Sequence, residues 1–151
     1  MTPDRTDLAL LRALLADGSL TAKEAGEAAG VTQPVAWRRI RKMEEAGIIT
    51  GRRLALDRAK LGYEVVVFLG VKLAAKGRSR VEEFERAVTA IPEVQLVQYV
   101  LGVYDYRLKV VARDLPDFER ILRRRIMTLP GIGEVESNVL LSEEKISAAP
   151  F

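Results

Sequence analysis

The sequence predicts an α+β protein in two parts, helical over residues 1–60 and a mixed sheet-and-helix unit over residues 61–151. Three observations carry that division. Apolar residues recur at helical spacing as far as Ile49, whereas beyond residue 60 continuous or alternating runs of Val, Phe and Leu take over. A polar connection, residues 57–62, lies between the two patterns. The excess positive charge lies in the first part alone: residues 1–60 carry eleven Lys/Arg against eight Asp/Glu, and residues 61–151 carry thirteen of each.

Composition excludes several kinds of chemistry. With 151 residues, 48% of them hydrophobic, the chain has ample material for a packed core. It contains neither cysteine nor histidine, so disulfides, thiolate chemistry, the commonest zinc ligands and histidine-based general catalysis are all removed. No cofactor and no metal site is expected. No run approaches the roughly 18 apolar residues that span a bilayer, and Met1-Thr2-Pro3-Asp4 lacks the basic and apolar regions of a secretory signal. The expected location is the cytoplasm, without membrane partners.

Taken in order, residues 4–16 predict a first helix, with Leu8, Leu11 and Leu15 as a stripe widened by Leu10 and Leu14. Asp17-Gly18-Ser19 ends it. Residues 20–29 form a second short helix, with Thr21 and Glu24 at capping-box spacing, and only Gly30 and Val31 precede the next start signal. There Thr32 takes the N-cap position, Gln33 and Pro34 the first turn, and Gly47 the left-handed position past the end, so a third helix runs over residues 33–46. Ala36, Ile40 and Met43 fall on one side of it, and Arg38, Arg41, Lys42 and Glu45 on the other. Two short helices joined by a tight glycine-containing turn, the second one basic, have the form of a helix-turn-helix. Residues 50–56 read either as a short hairpin, a wing placing Arg52 and Arg53 near a duplex backbone, or as an ordinary exposed turn.

In the second part, residues 64–73 are almost continuously apolar and predict a central strand. Val81, Phe84, Val88 and Ile91 repeat at helical spacing and stop at Pro92. Residues 94–101 give a second strand. Tyr106, Leu108, Val110 and Ala112 alternate with charged residues in a third. Leu115, Phe118, Leu122, Ile126 and Leu129 form a further helical stripe, and residues 135–141 a last strand. The order is βαββαβ, a ferredoxin-like unit with both helices on one face of a four-stranded sheet. Because the first strand is apolar throughout, its other face needs a cover as well, and a second copy of the chain is the simplest one. A homodimer through the C-terminal sheets follows.

Residues 30–49, then Thr50-Gly51, Leu61-Gly62-Tyr63, Pro92-Glu93-Val94, residues 102–110, Leu129-Pro130-Gly131 and Lys145 together resemble the Lrp/AsnC (feast/famine) family of transcription regulators over essentially the whole chain. The resemblance implies a DNA-binding regulator that works as a dimer or larger assembly, up to an octamer, and answers a free amino acid or related small molecule. It places Thr32, Gln33, Pro34, Trp37, Arg38, Arg41 and Lys42 on the DNA-facing helix. Gln33 suits adenine and Arg38 guanine, while Arg41 and Lys42 suit phosphates. Arg39, nearer the core side, is expected to pack or pair within the molecule, and Trp37, on the flank, to pack on the core ahead of touching DNA.

The same resemblance assigns the effector to Gly102, Val103, Tyr104 and Asp105, joined by Ser137 on the last strand. Gly102 allows close backbone approach and Asp105 offers a carboxylate to an ammonium group. The residues alone read equally as a hairpin turn whose Gly and Asp satisfy turn geometry. Val103 and Val135 depart from the family pattern, which leaves an apolar effector, an altered one or none. Two other functions stay open: an effector-independent, nucleoid-type DNA-binding protein, and a relative of haem-pathway decarboxylases, against which the absence of histidine speaks.

Overall fold

The structure is a computed structural model that describes residues 1–74, 77–147 and 149–151. It divides into two compact units, Met1–Ala55 with Lys145–Phe151, and Leu56–Glu144. Lys145–Phe151, which the sequence predicts with the sheet, group with the helices.

The first unit holds α1 (Arg5–Ala16), α2 (Ala22–Ala29) and α3 (Gln33–Glu45). Two reciprocal capping boxes start α1 and α2. Asp7 N–H donates to Asp4 and Asp4 N–H to Asp7, and Thr21 N–H likewise donates to Glu24 at 2.7 Å. Helix α3 ends in a Schellman motif: Gly47, at φ 72°, donates to Glu44 O at 3.0 Å, and Ile48 to Met43 O at 2.9 Å. Leu10, Ala25, Ala36, Ile40 and Met43 form the buried centre, bordered by Leu11, Leu14, Leu20, Ile48 and Ile49. The α1 stripe is therefore rotated from the expected one, leaving Leu15 52% exposed.

Residues 51–57 form no strand and no hairpin, so of the two readings of this segment the irregular one holds. Arg52 explains the irregular path. Its Nη1 donates to Gly18 O and Leu20 O, both at 3.0 Å, and so pins the segment to the α1–α2 turn.

The second unit contains β1 (Val65–Leu73), α4 (Arg78–Thr89), β2 (Val94–Tyr99), β3 (Tyr106–Ala112), α5 (Leu115–Ile121), a π-helical turn (Leu122–Ile126) and β4 (Ile132–Val139). All pairings are antiparallel and the strand order is β2-β3-β1-β4. One face of the sheet, with Val67, Leu69, Val71, Leu108 and Val110, packs on Phe84, Val88, Phe118, Ile121 and Ile126. Tyr106 enters the same core, its ring 4.9 Å from that of Phe84 and its hydroxyl donating to Glu85 at 2.5 Å.

The helical stripe after α5 differs from the expected one for a definite reason. In the π turn Met127 N–H reaches back five residues to Leu122 O, so the buried positions run Ile121 then Ile126, and Leu122 is only half-buried. The last strand also begins three residues earlier than expected, where Gly133 lets β4 approach β1. A Cβ there would stand 2.6 Å from Lys72 O.

Candidate functional site

The first candidate surface is the outward side of α3. Gln33, Pro34, Arg38, Arg41 and Lys42 are exposed along it, while Ala36, Ile40 and Met43 are buried behind. Thr32 occupies the N-cap position without a side-chain cap bond, so its hydroxyl is not committed to the helix. Trp37 corrects the expectation of core packing: it is 58% exposed, with the Arg41 guanidinium 5.8 Å from its ring centroid. Arg41 also lies 3.8 Å from Glu45, an exposed pair of little energetic weight. Arg53 is exposed, whereas Arg52 is held as described.

What fixes α3 is Arg39. Its Nη1 donates to Asp4 at 2.7 Å and to Asp7 at 2.9 Å, the latter carboxylate only 3% exposed, and its Nε is buried without a partner. The Asp7 backbone N–H and then Arg39 hold the Asp4 carboxyl below the usual range, and the two aspartates in turn raise the guanidinium. The α2–α3 turn is set by Gly26, a residue the sequence reading did not single out. A Cβ there would meet Val31 O at 2.9 Å and the Ala36 Cβ at 3.0 Å. Its only sequence signal is a glycine inside a helix, where it weakens the helix unless packing demands it.

The second candidate surface lies at the loop after β2, on the sheet face away from α4 and α5. Phe68, Gly70, Val100, Gly102, Val103, Tyr104, Arg107, Glu136 and Asn138 line a groove of about 300 Å³ there. Register explains how they meet. Arg107 and Glu136 are the two cross-strand neighbours of Gly70, and Asn138 is that of Phe68, so all share one face. Tyr104 lays its ring where Gly70 has no side chain; a Cβ at Gly70 would come within 2.7 Å of it. Its hydroxyl donates to Glu136, which pushes the phenol above its ordinary range and the Glu136 carboxyl below its own.

Two expected effector residues are placed elsewhere. The Asp105 carboxylate accepts from Leu73 N–H at 2.9 Å, at the β1–β4 bulge, while its own N–H donates to Val71 O. Ser137 pairs opposite Leu69 and so belongs, by register, to the other face of the sheet, as does Val135 opposite Val71. The structure thus brings Gly102, Val103 and Tyr104 together with Glu136 and Asn138. Alternation along β4 is the signal that separates Ser137 from its two neighbours.

Among the described residues no group of acidic side chains suits a metal ion, and no helix is long and apolar enough to cross a membrane.

Comparison with known proteins assigns a family to both parts. Residues 66–150 match the Lrp/AsnC ligand binding domain, and residues 3–50 a winged helix-turn-helix DNA-binding domain. The chain is 31% identical over 142 residues to the proline dehydrogenase transcriptional activator of Rhizobium radiobacter, covering 94% of this chain and 91% of that protein. Among solved structures, a transcriptional regulator from Neisseria meningitidis in complex with L-Met superposes with a TM-score of 0.91 at 26% identity, over 97% of this chain and 95% of that one. An AsnC family transcriptional regulator from Agrobacterium tumefaciens gives 0.88 at 31% identity over the same shares.

Proposed function

We propose, from the premise that this chain belongs to the Lrp/AsnC family of transcriptional regulators, that it is a regulator without enzymatic activity, binding operator DNA as a homodimer in the cytoplasm and tuned by an amino acid. The observation that carries the reading is the outward side of α3, where Gln33, Arg38 and Lys42 stand exposed on a helix whose opposite side is core. Residues near the N-terminal end of such a helix reach base edges, which gives Gln33 and Arg38 the reading of sequence. Arg41, Lys42 and Arg53 hold phosphates, Thr32 and Pro34 lie against the duplex, and Trp37 covers the flank. Arg52, anchored to two carbonyls, supports the segment behind the helix.

The dimer forms through the sheet face opposite α4 and α5, and its copies assemble further, up to an octamer. Phe68, with the Arg107 guanidinium 5.3 Å from its ring centroid, is the apolar centre of that face. The amino acid occupies the groove at Gly102, Val103 and Tyr104. Support comes from the match to a ligand-binding domain and from the L-Met complex of the Neisseria meningitidis relative. Because the groove lies on that same sheet face, beside Phe68, ligand there alters assembly. Asp105 shapes the loop rather than gripping the ligand, and Ser137 stands apart from it.

Fluorescence anisotropy with labelled duplexes selected from random sequence tests the reading. Tight binding of a selected sequence, falling steeply with salt, is the expected result. Equal, weak binding to every duplex at low ionic strength would overturn it.

A further inference from the structure

The outward side of α3 carries its side chains in two rows. At about 100° per residue, Pro34, Arg38 and Lys42 run along the centre of that surface, and Gln33, Trp37 and Arg41 run beside them, between the centre and the core side. Trp37 is the odd member. It is the chain's single tryptophan and 58% exposed, and every other exposed residue of the helix except Pro34 is polar or charged. Nor does its ring fold back over the core: with the Arg41 guanidinium 5.8 Å from the ring centroid, the indole lies along the exposed row.

Cations in such a row suit phosphates and base acceptors. An indole offers one donor and a large apolar surface, and in a major groove the apolar feature that the four bases display is the thymine C5-methyl. Gln33, the residue that suits adenine, stands one turn before Trp37 in the same row. Four residues rise about 6 Å along a helix, close to two base-pair steps of about 3.4 Å. The two side chains therefore fall on neighbouring parts of one site.

We propose that Trp37 is a specificity-determining residue, its indole covering the C5-methyl of a thymine one or two base pairs from the adenine that Gln33 reads. The proposal rests on α3 entering the major groove, as in the function proposed above, and adds a base identity that the polar side chains do not supply.

Anisotropy titrations with a duplex selected from random sequence test it, each thymine replaced in turn by uracil, which removes the methyl and nothing else. At one position of each half-site the replacement weakens binding by the parent protein about fourfold, the worth of one buried methyl group. Trp37→Ala binds the thymine and uracil duplexes alike, and Trp37→Phe keeps the preference for thymine. Circular dichroism confirms that both variants are folded. 5-Bromouracil at that position, with bromine in place of the methyl, restores affinity and quenches the Trp37 emission more than it does at any other thymine. Uracil tolerated at every position, or a penalty that persists in Trp37→Ala, overturns the assignment while operator binding stands. A parent protein that binds no duplex overturns the regulator reading as well.

Discussion

Arg39 of α3 and Asp7 of α1 are joined by a 2.9 Å hydrogen bond between side chains 32 positions apart in sequence, and the aspartate is almost wholly buried. The helix proposed to read DNA is thus held in place by Asp4 and Asp7. Asp7→Asn is expected to lower the melting temperature and weaken operator binding while leaving the salt dependence unchanged, since no phosphate contact is lost. Arg39→Ala should do the same, and a binding slope that dropped by about one in that variant would instead place Arg39 on the phosphates.

Gly26→Val pushes a branched side chain into Val31 O and Ala36. Overpacking of this kind destabilises by about 1–3 kcal/mol, and relief requires α2 and α3 to separate. Urea denaturation measures the loss. The spread of the α2–α3 turn should also reduce operator affinity, although the substitution lies on the buried side.

Arg38→Ala is expected to weaken operator binding by about 1–3 kcal/mol and relax preference at one base pair. Arg41→Ala should weaken all duplexes alike and lower the salt slope by about one. Binding isotherms on an operator and its single-base variants at two salt concentrations separate the two.

Asp105→Ala strands the Leu73 N–H at the β1–β4 bulge and destabilises the protein by about 1 kcal/mol. Asp105→Asn keeps an acceptor there and should recover most of the stability. If the amino-acid response, read as a ligand-dependent thermal shift, survives in the Asn variant, the carboxylate's charge is not what the ligand needs.

Several carboxylates sit below their ordinary range for local reasons: Asp17 beside Ser19, Glu24 beside the Thr21 N–H and hydroxyl, and Asp117 beside the Arg113 N–H and Arg120. A carboxyl depressed by folding contributes stability that is complete above its unfolded value and is lost as pH falls through its folded one. The melting temperature should therefore hold near neutrality and drop below about pH 4. Glu24→Gln, which retains a capping acceptor but no longer titrates, should show a smaller drop between pH 5 and about pH 3.

The parts legible in the sequence were those governed by local rules. Thr21 with Glu24, Gly47 past α3 and the alternation from Tyr106 to Ala112 each announce their structure within a few residues. What escaped was set by distant partners. Arg52 chooses between the two readings of its segment because two carbonyls of the α1–α2 turn capture it, and Trp37 stays outside while Ala36 and Ile40 fill the core beneath α3. Ser137 reads as a ligand residue until the pairing with Leu69 fixes its face. The wider turn after Ile121 likewise emerges only where Ile126 must reach the core one position late.

The C-terminal residues have a practical consequence for dissecting the molecule. Ala149 and Phe151 border an apolar groove with Leu11, Leu14, Leu15, Ile48 and Ile49, and the Arg12 guanidinium is 5.9 Å from the Phe151 ring. A fragment cut after Ala55 would therefore carry a naked greasy trench and be prone to clumping. Supplying residues 145–151 as a separate peptide should dissolve that tendency, since the helical unit draws on both stretches.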